Sequence, residues 1–210
     1  SLGSRPLPFI SLGGPRYPGQ HGEVLTPVGP VLSGFIQDTE PVNADIDAAR
    51  EALLLDYIQE EAALRTGTHQ PSLDTWAQAV ERMRVLRQRP ELLNIGTDPT
   101  DEERIAMGVD LLAARMCSVL GLQAPLPNLV RWDSHDDNQM NQERAFESSF
   151  SHLNDLLTTL ATTENEDGPL LDHTTVLVLS EMGRTPHLNG SMGKDHWPYT
   201  SAMIVGAGVG

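Results

Sequence analysis

The chain has 210 residues, long enough for one domain with its own core. Its 14 Lys and Arg stand against 29 Asp and Glu, and the net charge of −15 argues against nucleic acid or an anionic membrane as partner, leaving a solvated acidic surface as the plain reading. The single cysteine, Cys117, excludes an internal disulfide framework, and the chain shows neither an apolar run of about 18 residues that would span a membrane nor the basic-then-apolar opening of a signal peptide.

Residues 1 to 44 are broken by Pro and Gly (LGGPRYPGQHGEVLTPVGPVLSG) and predict a long ordered loop in place of helix. One short strand is expected over Leu7 to Ser11, with Pro8 suggesting an edge position or a strand end. Three helices follow between 45 and 122. The first, Ala44 to Arg65, carries Leu53, Leu54, Tyr57, Ile58 and Ala62 as an apolar stripe, with Gly67 closing it and Pro71 forbidding continuation. The second begins at Ser72, turns Ala77, Ala79, Val80, Met83 and Leu86 inward, and ends at Pro90. In the third, Thr100 followed by Glu103 is a capping box, and the helix is expected to run to about Leu120, with Cys117 as a packed thiol.

From 123 to 210 the pattern reads as an α/β core. Pro125 to Trp132 is expected to be a strand delivering Asp133-Ser-His135. A helix from about Gln139 to Thr163 follows, with Phe146, Phe150, Leu153, Leu156, Leu157 and Leu160 on one side. The β-branched run His173 to Ser180 then reads as a strand buried on both faces, and Ser201 to Val205 as another central strand. Strand, helix, strand is a βαβ unit, expected to be right-handed. The strands around Val130, Val176 and Ile204 are therefore expected in one mainly parallel sheet, with the helices of 45 to 121 as a separate layer or cap.

The residues able to do chemistry fall after those strands. Asp133 and His135, two apart, share one side of an extended chain and suit a divalent ion such as zinc or manganese, although a lone D-x-H is more often a pair of solvated loop residues. Glu181 and Arg184 sit on a polar, glycine-containing turn, and Asp195-His196 closes the Gly- and Asn-rich loop behind it. Each has a bracing or capping alternative. For Arg184 that alternative is a salt bridge, and its functional reading is an oxyanion such as phosphate or sulfate held by the forked guanidinium. Two strand ends at one sheet edge would bring these groups together. No P-loop, G-x-S-x-G or dinucleotide fingerprint stands in a suitable strand-turn-helix context.

The stretches Trp132-Asp-Ser-His135, Leu170 to Leu179 (LLDHTTVLVL), Ser180 to Pro186 (SEMGRTP), Asn189-Gly190 and Gly193 to Trp197 (GKDHW) resemble a bacterial family, the domain of unknown function 1501, sulfatase-like proteins of the alkaline phosphatase superfamily. Ser134, Ser180, Met182 and Lys194 are mild departures from its pattern, and none removes a candidate ligand. Leu7 to Gly14 and the helical middle are similar to planctomycete-type members. The resemblance implies an alkaline phosphatase-like α/β/α sandwich, partial in this chain, with a mainly parallel sheet and a helical insertion. It implies metal held by Asp133, His135, Asp195 and His196 at the carboxyl edge of the sheet, the ion being zinc, manganese or calcium. It also implies twin-arginine export to the periplasm.

Two functions are in view. One is a metal-dependent hydrolase of sulfate or phosphate esters, on an anionic small molecule or a polysaccharide, with Glu181 as a further ligand or base and Arg184 on the anion. The other is a non-catalytic, cell-envelope binding protein that keeps the fold. Both ends of the sequence read as cut, and hydrolytic relatives carry their nucleophile after a strand that would precede Ser1. The 210-residue chain is therefore expected to be a fragment, marginally stable by itself and without esterase turnover.

Overall fold

The structure is a computed structural model, and it describes residues 5–7, 9–12, 26–27, 44–64, 70–93, 99–125, 127 and 129–209. The loop expected over most of 1 to 44 and the helix stop at Gly67 lie outside these. The chain divides into two compact units, residues 1–99 with 115–121, and residues 100–114 with 122–210.

In the first unit the apolar tetrad Phe9–Leu12 (β1) begins one residue after Pro8 and lies between Thr26–Pro27 (β2) and Val119–Leu122 (β3). β1 and β2 run parallel, with Ile10 opposite Thr26. Paired on both sides, β1 buries Ile10, Ser11 and Leu12. Helix Ala44–Leu64 (α1) packs on helix Gln70–Arg87 (α2), and Arg87 Nη1 meets Glu51 Oε1 at 2.6 Å. Ile58 and Leu86 are the buried anchors; Leu53 and Tyr57 stay exposed, so the described residues cover only part of the expected stripe.

The second unit is built on two helices. Asp101–Ala113 (α3) opens with the expected capping box, the Thr100 hydroxyl accepting from the Glu103 N–H at 3.2 Å and Glu103 Oε2 accepting from the Thr100 N–H at 2.7 Å. It ends seven residues earlier than the sequence predicts. Arg115 turns into the left-handed region at φ 56°, which breaks the ladder, and Val119 onward pairs as β3. Cys117 is buried as expected, and that burial pushes its thiol up to about 12.

Ile105 and Val109 of α3 pack with Leu160 of helix Asn138–Thr162 (α4) and with Leu170, and Leu156, Leu171 and Val176 close around them. The buried side of α4 runs through Asn141, Ala145 and Leu160. Phe146 and Phe150 instead stack outward, 5.8 Å apart, with Trp132 edge-on to Phe146. Short strands Glu164–Asn165 (β4) and Gly168–Pro169 (β5) form a tight hairpin, and a 3₁₀ turn over Leu170–His173 leads into Thr175–Leu179 (β6).

Three expectations are corrected here. Residues 129 to 132 form a turn in place of a strand: Leu129 has φ 70°, and the Val130 N–H bonds back to the Pro127 carbonyl. β6 pairs with Ala202–Gly206 (β9) antiparallel, Leu177 opposite Ile204, in a two-stranded sheet. The cause lies between them. No crossover helix intervenes; Gly183–Arg184 (β7) pairs antiparallel with His196–Trp197 (β8), so residues 175 to 206 double back as one long arm. With a single partner strand, β6 exposes Leu177, Val178 and Leu179 and buries neither face; Val176 alone reaches the core cluster. Among the described residues, no helix is long and apolar enough to cross a membrane.

Candidate metal centre

The site forms at the tip of the 175–206 arm, where it meets the loop before α4. That loop is stiffened from the helix side. Asn141 accepts from the Arg131 N–H and donates to the Asp136 and Asp137 carbonyls, and Gln142 donates to the Trp132 carbonyl and the Ser134 hydroxyl. Ser134 is fully buried, and its hydroxyl donates to Asn138 Oδ1 at 2.8 Å, so a buried polar group is satisfied and the chain is fixed between Asp133 and His135. The arm docks on this loop through its backbone: Lys194 N–H to Ser134 carbonyl at 2.9 Å, Asn138 N–H to Met192 carbonyl at 3.0 Å, and a bridge between Asp136 and Met192.

The tip supplies the rest. The register of β7 and β8 sets Arg184 opposite His196. Thr185 receives Asp195 from both sides, its N–H reaching the Asp195 carbonyl and its hydroxyl accepting the Asp195 N–H. Gly193 passes beneath His135 so closely that a Cβ there would lie 1.8 Å from the His135 carbonyl oxygen; only glycine fits.

Three donor atoms converge. His196 Nε2 is 2.9 Å from Asp133 Oδ1, and His135 Nε2 is 3.2 Å from both. Two donors each about 2.0–2.1 Å from a tetrahedral ion are about 3.3 Å apart, and at right angles about 2.9 Å. Two imidazoles and a carboxylate at this spacing fit a divalent ion in both chemistry and size. His135 Nδ1 turns the other way, 2.9 Å from Asp195 Oδ1.

Arg184 also contacts Asp133 Oδ1 through Nη2, while its Nη1 donates to the Lys194 carbonyl at 3.0 Å. The hydrogen bond from Arg184, then that from His196, holds the Asp133 carboxyl down at about 2. The hydrogen bond from His135, followed by one from Asn189, holds Asp195 below the usual carboxylate range.

Of the residues singled out from sequence, Asp133, His135, Arg184, Asp195 and His196 come together. Arg184 takes the salt-bridge arrangement, and Asp195 reaches the far side of the His135 ring. Glu181 lies exposed on the bend after β6 and joins none of the cluster's hydrogen bonds. Sequence reasoning missed Asn189, whose side chain binds four groups of the site, and the amides Asn138, Asn141 and Gln142. The amides carried a signal: they recur at helical spacing just after the D-x-H.

A sequence model of the family described as "Protein of unknown function (DUF1501)" matches residues 35–210. No curated protein and no solved structure matches the chain.

Proposed function

We propose, for a chain that belongs to the DUF1501 family, that the cluster at the arm tip is a divalent-metal centre and that it serves hydrolysis of sulfate or phosphate esters. The observation that carries the metal reading is the convergence of Asp133 Oδ1, His135 Nε2 and His196 Nε2. Two imidazole donors suit zinc or manganese better than calcium, which prefers an all-oxygen shell. A bound ion would polarise an ester oxygen and make a coordinated water acidic.

The chain's own residues have separate tasks in this reading. Asp133, His135 and His196 hold the ion. Arg184 supplies the only guanidinium in contact with these donors among the described residues, and it neutralises a sulfate or phosphate oxygen drawn to the site. Glu181, on the neighbouring bend, is proposed as the base that takes a proton during attack; it needs a rearrangement of that bend to reach the cluster. The alkaline phosphatase-like sandwich and periplasmic export belong to the same proposal. The position of Glu181 outside the cluster favours a second reading, a cell-envelope binding protein that holds metal without turnover.

The test takes the protein as expressed. Bound metal is measured by mass spectrometry, and zinc, manganese and calcium are then titrated calorimetrically. Asp133→Ala, His135→Ala and His196→Ala should each abolish tight binding, since each removes one of three donors. An aryl sulfate and aryl phosphate panel then separates hydrolase from binding protein. Wild type that binds none of the three ions would defeat the metal reading.

A further inference from the structure

We infer that Asp195 is a positioning residue, acting through the His135 ring, and that Asn189 holds it in place. The inference rests on the metal reading and concerns which groups touch the ion. By sequence, Asp195 and His196 are equivalent neighbours, and both are expected as ligands. The geometry divides them. His196 Nε2 faces Asp133, whereas Asp195 Oδ1 lies 2.9 Å from His135 Nδ1, the nitrogen on the side away from the three converging donors.

An aspartate carboxylate only accepts hydrogen bonds, and Asp195 Oδ1 stands 2.9 Å from His135 Nδ1 while also taking the Asn189 amide at 3.2 Å. The proton between Asp195 and His135 therefore belongs to Nδ1. A neutral imidazole with its proton on Nδ1 has a free lone pair on Nε2, the atom 3.2 Å from both Asp133 Oδ1 and His196 Nε2. A carboxylate behind a ligating histidine fixes both the tautomer and the ring plane.

Asn189 uses both ends of its amide for this arrangement. Its Nδ2 donates to Asp195 Oδ1 at 3.2 Å and to the His135 carbonyl at 2.9 Å, gripping the acceptor and the residue it orients. Its Oδ1 accepts from the Ser191 and Gly193 N–H groups at 2.9 and 3.0 Å, which curls the tip beneath His135. Aspartate at 189 would keep the second pair of bonds, lose the first and repel Asp195.

The experiment compares wild type with Asp195→Ala, Asp195→Asn and Asn189→Asp. Long-range ¹H–¹⁵N NMR on metal-stripped protein at pH 8 reads the His135 tautomer, assigned with His135→Gln, and competition titration reads zinc affinity. Wild type should show the Nδ1–H form. Asp195→Ala and Asn189→Asp should admit the Nε2–H form and weaken zinc about 10- to 100-fold, with the metal-free melting temperature unchanged. Asp195→Asn keeps an acceptor for Nδ1–H, so it should retain the tautomer, fall between the two in affinity, and stand in should the alanine variant not fold. An unaltered tautomer and zinc affinity in both Asp195 variants would overturn the inference. So would loss of one donor from the cobalt(II) spectrum on Asp195→Asn, which would make Asp195 a ligand. If wild type binds no zinc, the metal reading fails, while the metal-free tautomer still decides the role of Asp195.

Discussion

Asp133 Oδ1 takes contacts from Arg184, His196 and His135 on one atom, and that crowding has a measurable consequence. Its folded pKa, about 2, lies below the ordinary aspartate value of about 3.9. The pair's contribution to stability is therefore complete above the unfolded value and is lost as the pH falls through about 2. Asp133 is exposed, so the effect is on protonation far more than on overall stability. A ¹³C titration of its carboxyl carbon should show a midpoint near 2, moving up in Arg184→Gln, which loses the larger cause. At the same scale, Gly193→Ala places a Cβ against the His135 backbone and should cost most of the zinc affinity. Gly190→Ala meets nothing within 4 Å and should leave it intact. The candidate ligands were legible in the sequence because D-x-H and Asp-His carry metal-binding chemistry in their residue types. Asn189 was not: its role depends on a loop that returns upon itself.

Helices were the legible elements. The Thr100–Glu103 box is local chemistry, and α4 has the expected ends to within a residue, although Phe146 and Phe150 of its apolar stripe face outward. Strand direction was not legible, because the β6 run VLVL has the same apolar texture beside a parallel or an antiparallel partner. Only the intervening arm decides, and its pairs are two residues long. α3 was read too long because Arg115 gives no outward sign of its left-handed backbone. Two substitutions rank the forces holding the second unit. Thr100→Ala removes one cap and should cost about 1 kcal/mol. Leu160→Ala opens a cavity at a fully buried position shared with Ile105, Val109 and Leu170, and should cost about 2–5 kcal/mol. Urea unfolding should give that order; a reversed order would mean that the helices meet elsewhere.

Across the whole molecule, a net charge of −15 draws divalent cations toward the site and repels the anionic esters proposed as substrates. Zinc association should therefore slow as salt rises, and ester turnover, where present, should depend on metal and Arg184 to offset that field. Binding to the folded state alone should also raise the melting temperature, by about 2.7 kcal/mol of added stability at a hundredfold excess over the dissociation constant, with EDTA reversing it. The antiparallel arm that carries Arg184, Asp195 and His196 works as a ruler. With Arg184 set against His196, a slip of one residue would bring Asp195 or Trp197 into that place and send the imidazole to the other side. Deleting Gly190 should therefore disable the site, while Leu188→Ala or Met192→Ala, at exposed tip positions, should not. Relatives sharing this arrangement would be free to vary exposed tip letters such as Leu188 and Met192, while the length of the tip, Asn189 and Gly193 stayed constant.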